Sequence, residues 1–253
     1  MKKLLSLLLI PIILVGCQKA PAQQNNQSEP DQAKVIDSED PVPDLKKEAK
    51  KPMTTQEQEQ FFQAVENGNI SEITSFIEDG ANINSVNQEG RTAAMIATYN
   101  NDPESVKLLI ENGADVNIQD SMKNNPFLYA GAEGYLEIVK LTIDAGADPM
   151  LLNRFGGTAL IPASEHGYVD VVKELLEQTE IDVNHVNDLG WTAILEAIVL
   201  GDGGKKQQET LRLLISHGAD VNIPDSNGVT PLQHAKKLGY KKISDILLDA
   251  GAN

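Results

Sequence analysis

The sequence predicts an all-α solenoid of about six 33-residue helix-turn-helix repeats, preceded by a disordered tether. Three observations predict it. The tripeptide Gly-Ala-[Asp/Asn] begins at Gly80, Gly113, Gly146, Gly218 and Gly251, with a 33-residue step between the first three and between the last two. Each interval holds two short segments with helical apolar spacing, such as Ile138, Val139, Leu141 and Ile143. A period between about 20 and 50 residues marks a stacked array, because one unit of that size cannot bury its own apolar face.

The elements follow in chain order. Met1-Lys2-Lys3 and the apolar run Leu4 to Val15, interrupted by Pro11, are too short to span a bilayer and read as a signal peptide over 1–16. Leu14-Val15-Gly16-Cys17 resembles the bacterial lipobox, in which the cysteine is acylated and becomes the first mature residue. Cys17 is the chain's one cysteine, so no disulfide can form within the chain and the fold must rest on packing. A single acyl chain holds only marginally, at about 0.8 kcal/mol per buried CH₂; the two or three chains that this resemblance implies would hold firmly.

Residues 17–53 form the lipidated cysteine and a linker of Gln, Asn, Pro, Asp, Glu and Lys. Such a composition cannot bury enough apolar surface to offset its ordering entropy, so it predicts a disordered tether with a span of roughly 30–36 Å.

The repeats occupy about 54–86, 87–119, 120–152, 153–186, 187–224 and 225–253. The interval from Gly146 to Gly218 fits the period once one extra residue is allowed near Glu180 and five near Gly203. Each Gly that closes a repeat suits the left-handed position after a helix. Thr92, Thr158, Thr192 and Thr230 stand where a hydroxyl can cap the following helix, with Pro126 and Pro231 in the first turn. Ala97, Ala130, Ala163, Ala197 and Ala235 allow close helix approach. Pro162 falls near the fourth helical position, where it deletes the N–H that would close the first turn. With Gly156-Gly157 just before it, an irregular local backbone is expected.

The repeat unit resembles the ankyrin repeat. Its last copy carries the pattern best, as Asp225-Ser-Asn-Gly228-Val-Thr230-Pro231-Leu232-Gln233-His234-Ala235, closing in Leu247-Leu248-Asp-Ala-Gly251-Ala252-Asn253. One departure runs throughout. The histidine of the family's Thr-Pro-Leu-His motif is replaced by Met95, Leu128, Ile161, Leu195 and Gln233, so apolar contact is expected to hold that junction.

The resemblance implies protein binding through turn tips, groove-facing positions of the first helix, and its last exposed turn. In this chain the groove column reads Ile96, Tyr129, Pro162, Glu196 and His234. Repeats four and five depart most from the repeat pattern, and departures of that kind concentrate at functional sites. They carry Arg154 and Phe155 at one tip, Asp188 and the single Trp191 at the next, and Glu165, His166 and Glu196 on the helices. Aromatic and Arg side chains dominate interface hot spots. These seven residues are the candidate protein-binding site, with Trp191 expected at an exposed tip.

Charge narrows the partner. The chain has 37 acidic and 21 basic side chains; loss of Lys2 and Lys3 with the signal leaves 37 against 19, a net −18. That surface repels nucleic acid and suits a basic protein. Lys236, Lys237, Lys241 and Lys242 make the last repeat locally basic, as a solvent-facing capping repeat requires.

Catalysis finds no purchase in the pattern. His166, His185, His217 and His234 fall in different repeats or layers, and helices stack about 8–10 Å apart, so they cannot share one metal ion. His217 suits a cation at a helix C-terminus. No phosphate-binding loop or nucleophile elbow is present. The expectation is a monomeric, non-enzymatic scaffold without cofactor or metal, lipid-anchored on the extracytoplasmic side of a cell or outer membrane. The alternatives are an immunity or inhibitor protein against a secreted toxin or enzyme, and an envelope hydrolase or metal-binding protein.

Overall fold

The computed structural model describes residues 53–253; the signal peptide, Cys17 and residues 18–52 of the expected tether lie outside the described residues. Twelve α-helices and no strand occur among the described residues, two per repeat. They are α1 (Thr55–Glu66), α2 (Ile70–Glu78), α3 (Ala93–Tyr99), α4 (Pro103–Glu111), α5 (Pro126–Glu133) and α6 (Leu136–Asp144). They continue with α7 (Leu160–Glu165), α8 (Val169–Gln178), α9 (Ala193–Val199), α10 (Lys205–Ser216), α11 (Pro231–Leu238) and α12 (Lys241–Asp249).

The odd-numbered helices pack in sequence against one another, and so do the even-numbered ones, giving two parallel layers. Between the layers runs one continuous apolar core from Phe61 to Ala252. Val106, Leu109, Ile138, Val139, Val172, Leu175, Leu211, Leu214, Ile243 and Leu247 are all fully excluded from solvent within it. Each such side chain contributes about 1.5–3 kcal/mol relative to exposure. Ala97, Ala130, Ala163, Ala197 and Ala235 are likewise fully buried, so the inner helices approach where only a methyl separates them. Met95, Leu128, Ile161 and Leu195, the replacements for the family histidine, are at most 3% exposed. In the last repeat Gln233 instead reaches back to the Thr230 N–H at 3.0 Å and completes a capping box.

Each finger between repeats is set by one side chain. The Oδ1 atoms of Asn87, Asp120, Asn153, Asn187 and Asp225 accept from the N–H groups two and four residues on, at 2.8–3.0 Å. That leaves the second and third residues of each finger in solvent and turns the fifth back toward the helix.

Thr92, Thr192 and Thr230 cap their helices as expected, accepting from the third N–H of each. Thr158 does not. Its hydroxyl is buried without a partner, and Ala159 occupies the cap position in helical conformation. The cause is Pro162. In the other inner helices after the first, the carbonyl of the capping residue accepts from the fourth helical N–H, as Thr92 does from Ile96 and Thr192 from Glu196. Pro162 has no such N–H, so the Thr158 carbonyl takes Ile161 at 3.3 Å and the turn tightens. The irregularity is confined to that point. Gly156, at φ +69°, follows the same finger geometry as Gly90 at +75° and Gly190 at +80°.

The five-residue insertion forms the α9–α10 loop and a 12-residue α10. Tyr240 of the next repeat closes over it, donating its hydroxyl to the Gly201 carbonyl at 3.0 Å, with its ring against Gly203. A Cβ at Gly203 would stand 2.7 Å from that ring, in a left-handed backbone at φ +70°.

Candidate functional site

The fingers and the inner helices bound a groove of about 610 Å³ that runs over repeats two to five. Four of the seven candidate residues line it: Arg154 and Phe155 from the fourth finger, Glu165 from the end of α7, and Glu196 from α9. Phe155 is 51% exposed, and the Arg154 guanidinium lies 4.7 Å from the centre of its ring. Arg154 also reaches back one repeat, with Nη1 3.9 Å from the Met122 Sδ.

The other three do not line the groove. Trp191 is half-buried rather than exposed, and it is not among the groove residues. It is the fifth residue of its finger: its N–H donates to Asn187 Oδ1 and its carbonyl accepts the Asn187 N–H, both at 3.0 Å, on the arm returning to α9. The exposed tip residues there are Asp188 and Leu189. Asp188 donates its N–H to the Phe155 carbonyl at 2.9 Å, and its carboxylate lies against Gly156, joining two fingers. His166 ends α7 with its ring 5.4 Å from that of Tyr168.

Glu196 is the least expected of the set. It is 5% exposed, and Asn187 Nδ2 donates to its Oε1 at 2.8 Å. Burial first, and the neighbouring Glu165 charge second, push its carboxyl up to about 7, against the opposing bond from Asn187. The ionised form of Glu196 is therefore disfavoured near neutral pH, beside Glu165 on the adjacent helix. His234 fills the equivalent place one repeat on, with Nε2 2.8 Å from Asp225 Oδ2. The Val229 N–H above all, then His234, hold that aspartate below the usual carboxylate range.

The groove also contains residues that the sequence reading left out of the site. Tyr99 and Tyr129 pack ring against ring, tilted by 56° with 4.3 Å between centroids, and Arg91 covers Tyr99 at 4.4 Å. Tyr99 donates its hydroxyl to Asp120 Oδ2 at 2.8 Å and accepts from Asn124 Nδ2 at 3.0 Å. Both tyrosines stand in columns the repeat register defines. Only the side-chain contacts across repeats show that they form one surface.

The remaining histidines are engaged apart from one another. His185 Nε2 meets the Gly156 carbonyl at 2.6 Å, and His217 Nδ1 meets the Leu213 carbonyl at 2.8 Å at the end of α10. What the groove can do is bind: it offers aromatic area, an apolar rim and carboxylates on rigid helices.

Several known proteins resemble this chain. It is 46% identical to an ankyrin repeat domain from Acinetobacter baumannii AYE, with a TM-score of 0.75 over 77% of this chain and 98% of that one. The ankyrin repeat protein EF0377 matches at 39% identity and a TM-score of 0.73, over 76% of this chain and 97% of the other. The putative ankyrin repeat protein YahD of Escherichia coli K12 is 52% identical over 79 residues, which is 31% of this chain and 39% of YahD. Family models of ankyrin repeats match residues 61–153, 127–225 and 204–248. The chain therefore belongs to the ankyrin repeat family, whose members are generally protein-interaction scaffolds rather than enzymes.

Proposed function

We propose that this protein is a lipid-anchored scaffold on the extracytoplasmic side of the cell envelope, which holds a protein partner in the groove of repeats two to five. The observation that carries the reading is the convergence of Arg154, Phe155, Glu165 and Glu196 with Tyr99 and Tyr129 in a single groove. Large aromatic area on rigid elements, rimmed by charge, is what a protein interface needs at its centre. The anchor rests on Leu14-Val15-Gly16-Cys17 and on the polar linker after it. The net charge favours a sharper form, in which the partner is a basic secreted toxin or enzyme that the scaffold neutralises.

Affinity purification of the full chain from envelope extracts tests both parts. A specific protein should co-purify, be lost on Arg154→Ala or Phe155→Ala, and survive Lys107→Ala on the outer helix α4. Equal recovery with all three variants would exclude the groove. Cys17→Ser should move the protein from the membrane to the soluble fraction; a variant that stays with the membrane would refute the anchor.

A further inference from the structure

Three consecutive fingers present large apolar side chains at one position: Met122, Phe155 and Leu189, at 44%, 51% and 55% exposure. Glu89 and Asn227 fill that position in the flanking fingers, so the apolar rim is confined to repeats three to five. The other edge of the same stretch of groove is formed by the last turns of the inner helices and carries Glu133 and Glu165, with Glu196 on α9.

The groove's cations do not neutralise that edge. Arg91 is committed to Tyr99 and, at 3.9 Å, to Asp120, while Arg154 lies on Phe155. Among the described residues no lysine or arginine pairs with Glu133, Glu165 or Glu196. A buried carboxylate beside a second one, with no cation for either, leaves an electrostatic demand that the chain itself does not meet. Loss of solvent around the site strengthens the attraction for an incoming positive charge.

We infer that the groove of repeats three to five takes a basic amphipathic segment of a protein partner. Its apolar side chains lie on Met122, Phe155 and Leu189, and a lysine or arginine head group sits between Glu165 and Glu196. This rests on the groove being the protein-binding site, and it adds the chemistry of the occupant.

Proton linkage gives the inference a signature. Charged groups on the elements packed against α9 are Glu165 on α7, His234, Lys236 and Lys237 on α11, and Lys205, Lys206, Glu209 and Arg212 on α10. Of these, Glu165 is the one that raises Glu196, and His234 is held by Asp225. A cation between the two carboxylates binds best once Glu196 has lost its proton. With that loss centred at about 7, its affinity should rise about tenfold from pH 6 to pH 8.

The probe is a synthetic leucine–lysine amphipathic peptide of about 14 residues, ~20 Å long as a helix. It is titrated calorimetrically into the purified full chain, alongside leucine–glutamate and serine–lysine peptides of the same pattern. The expected result is binding of the leucine–lysine peptide alone, weakened about tenfold at pH 8 by Glu165→Gln or Glu196→Gln. Glu196→Gln should also flatten the pH dependence, and Phe155→Ala should weaken binding at both pH values. Equal binding of the leucine–glutamate or serine–lysine peptide overturns the inference, and so does indifference to both glutamine variants. If the envelope partner still depends on Phe155 in that case, the groove reading stands and only the occupant's chemistry is wrong. If neither peptide nor envelope partner depends on Phe155, both fall.

Discussion

Glu196 occupies the position that Ile96, Tyr129, Pro162 and His234 fill in the neighbouring repeats, and each choice has a different consequence. Ile96 extends the core, Tyr129 packs tilted against Tyr99, and His234 grips Asp225. Glu196 brings a carboxyl into a place where its ionised form is disfavoured. Because its folded value lies near 7, above the ordinary 4.5, the folded state holds more proton than the unfolded one between those values. Stability from this group is therefore present at the acid end of that window and lost as pH rises through it. Glu196→Gln keeps an acceptor for Asn187 and removes the charge. It should raise the melting temperature at pH 8 by roughly 4–8 °C, for about 2 kcal/mol, and change it little at pH 5. Thermal denaturation of both proteins at the two pH values checks this, and a gain equal at both would assign it to packing instead of charge.

At the scale of the element, α7 shows how one residue degrades a repeated design. Its six residues are the fewest of any helix among the described residues, and it has lost both the threonine cap and the first backbone bond. Pro162→Ala restores the missing N–H to the Thr158 carbonyl and removes the ring that crowds it. The helix should then begin a residue earlier, with the Thr158 hydroxyl free to cap it. We expect a gain on the order of 1–2 kcal/mol in denaturant unfolding. A loss of stability would show that the proline ring packs in the groove more tightly than its half-buried state implies. The fault lies between Glu165 and the fourth finger, where Phe155 projects, so the least regular helix borders the inferred binding surface.

At the scale of the whole stack, neighbouring repeats are also joined by an asparagine ladder along the even-numbered helices. Asn84 donates Nδ2 to the Gly113 carbonyl at 3.1 Å and accepts from the Asp115 N–H at 2.8 Å. Asn117 repeats this with Gly146 and Asp148, and Asn184 with Gly218 and Asp220. Between the third and fourth repeats the ladder is missing. Met150 stands in the asparagine column, and the fourth repeat closes through Gln178-Thr179-Glu180 without glycine. There Thr179 substitutes locally, its hydroxyl donating to the Leu175 carbonyl at 2.6 Å. Asn117→Ala should cost about 1 kcal/mol, because two backbone groups of the next repeat lose their partner. Met150→Ala in the same column, 48% exposed, should stay within about 0.5 kcal/mol. Equal costs in chemical denaturation would mean that the ladder contributes nothing to cohesion.

The repeating parts of this molecule were legible in the sequence because they are local and periodic. Helix pairs, threonine caps at Thr92, Thr192 and Thr230, and the alanine column all follow from residue type and spacing. Pro162 was legible too, since a missing N–H is a property of the residue itself; its effect on the Thr158 cap, two bonds of reasoning away, was not. The candidate site was legible in part. Phe155 and Arg154 stand out as unusual residues at a tip, whereas Trp191 stood out equally and is half-buried outside the groove lining. Rarity in a sequence carries no direction. The Asn187 side chain sets the backbone of that finger, leaving Leu189 exposed and Trp191 half-buried.

What the sequence determined alone is therefore the unit and its repetition, since a 33-residue amphipathic pair has no stable way to exist except stacked on its like. What the tertiary structure decided is which side chains from different units share one surface. The environment of Glu196 is the plainest case: its proton affinity depends on burial beneath neighbouring repeats and on Glu165 one helix away. Both are properties of the stack, absent from any single repeat.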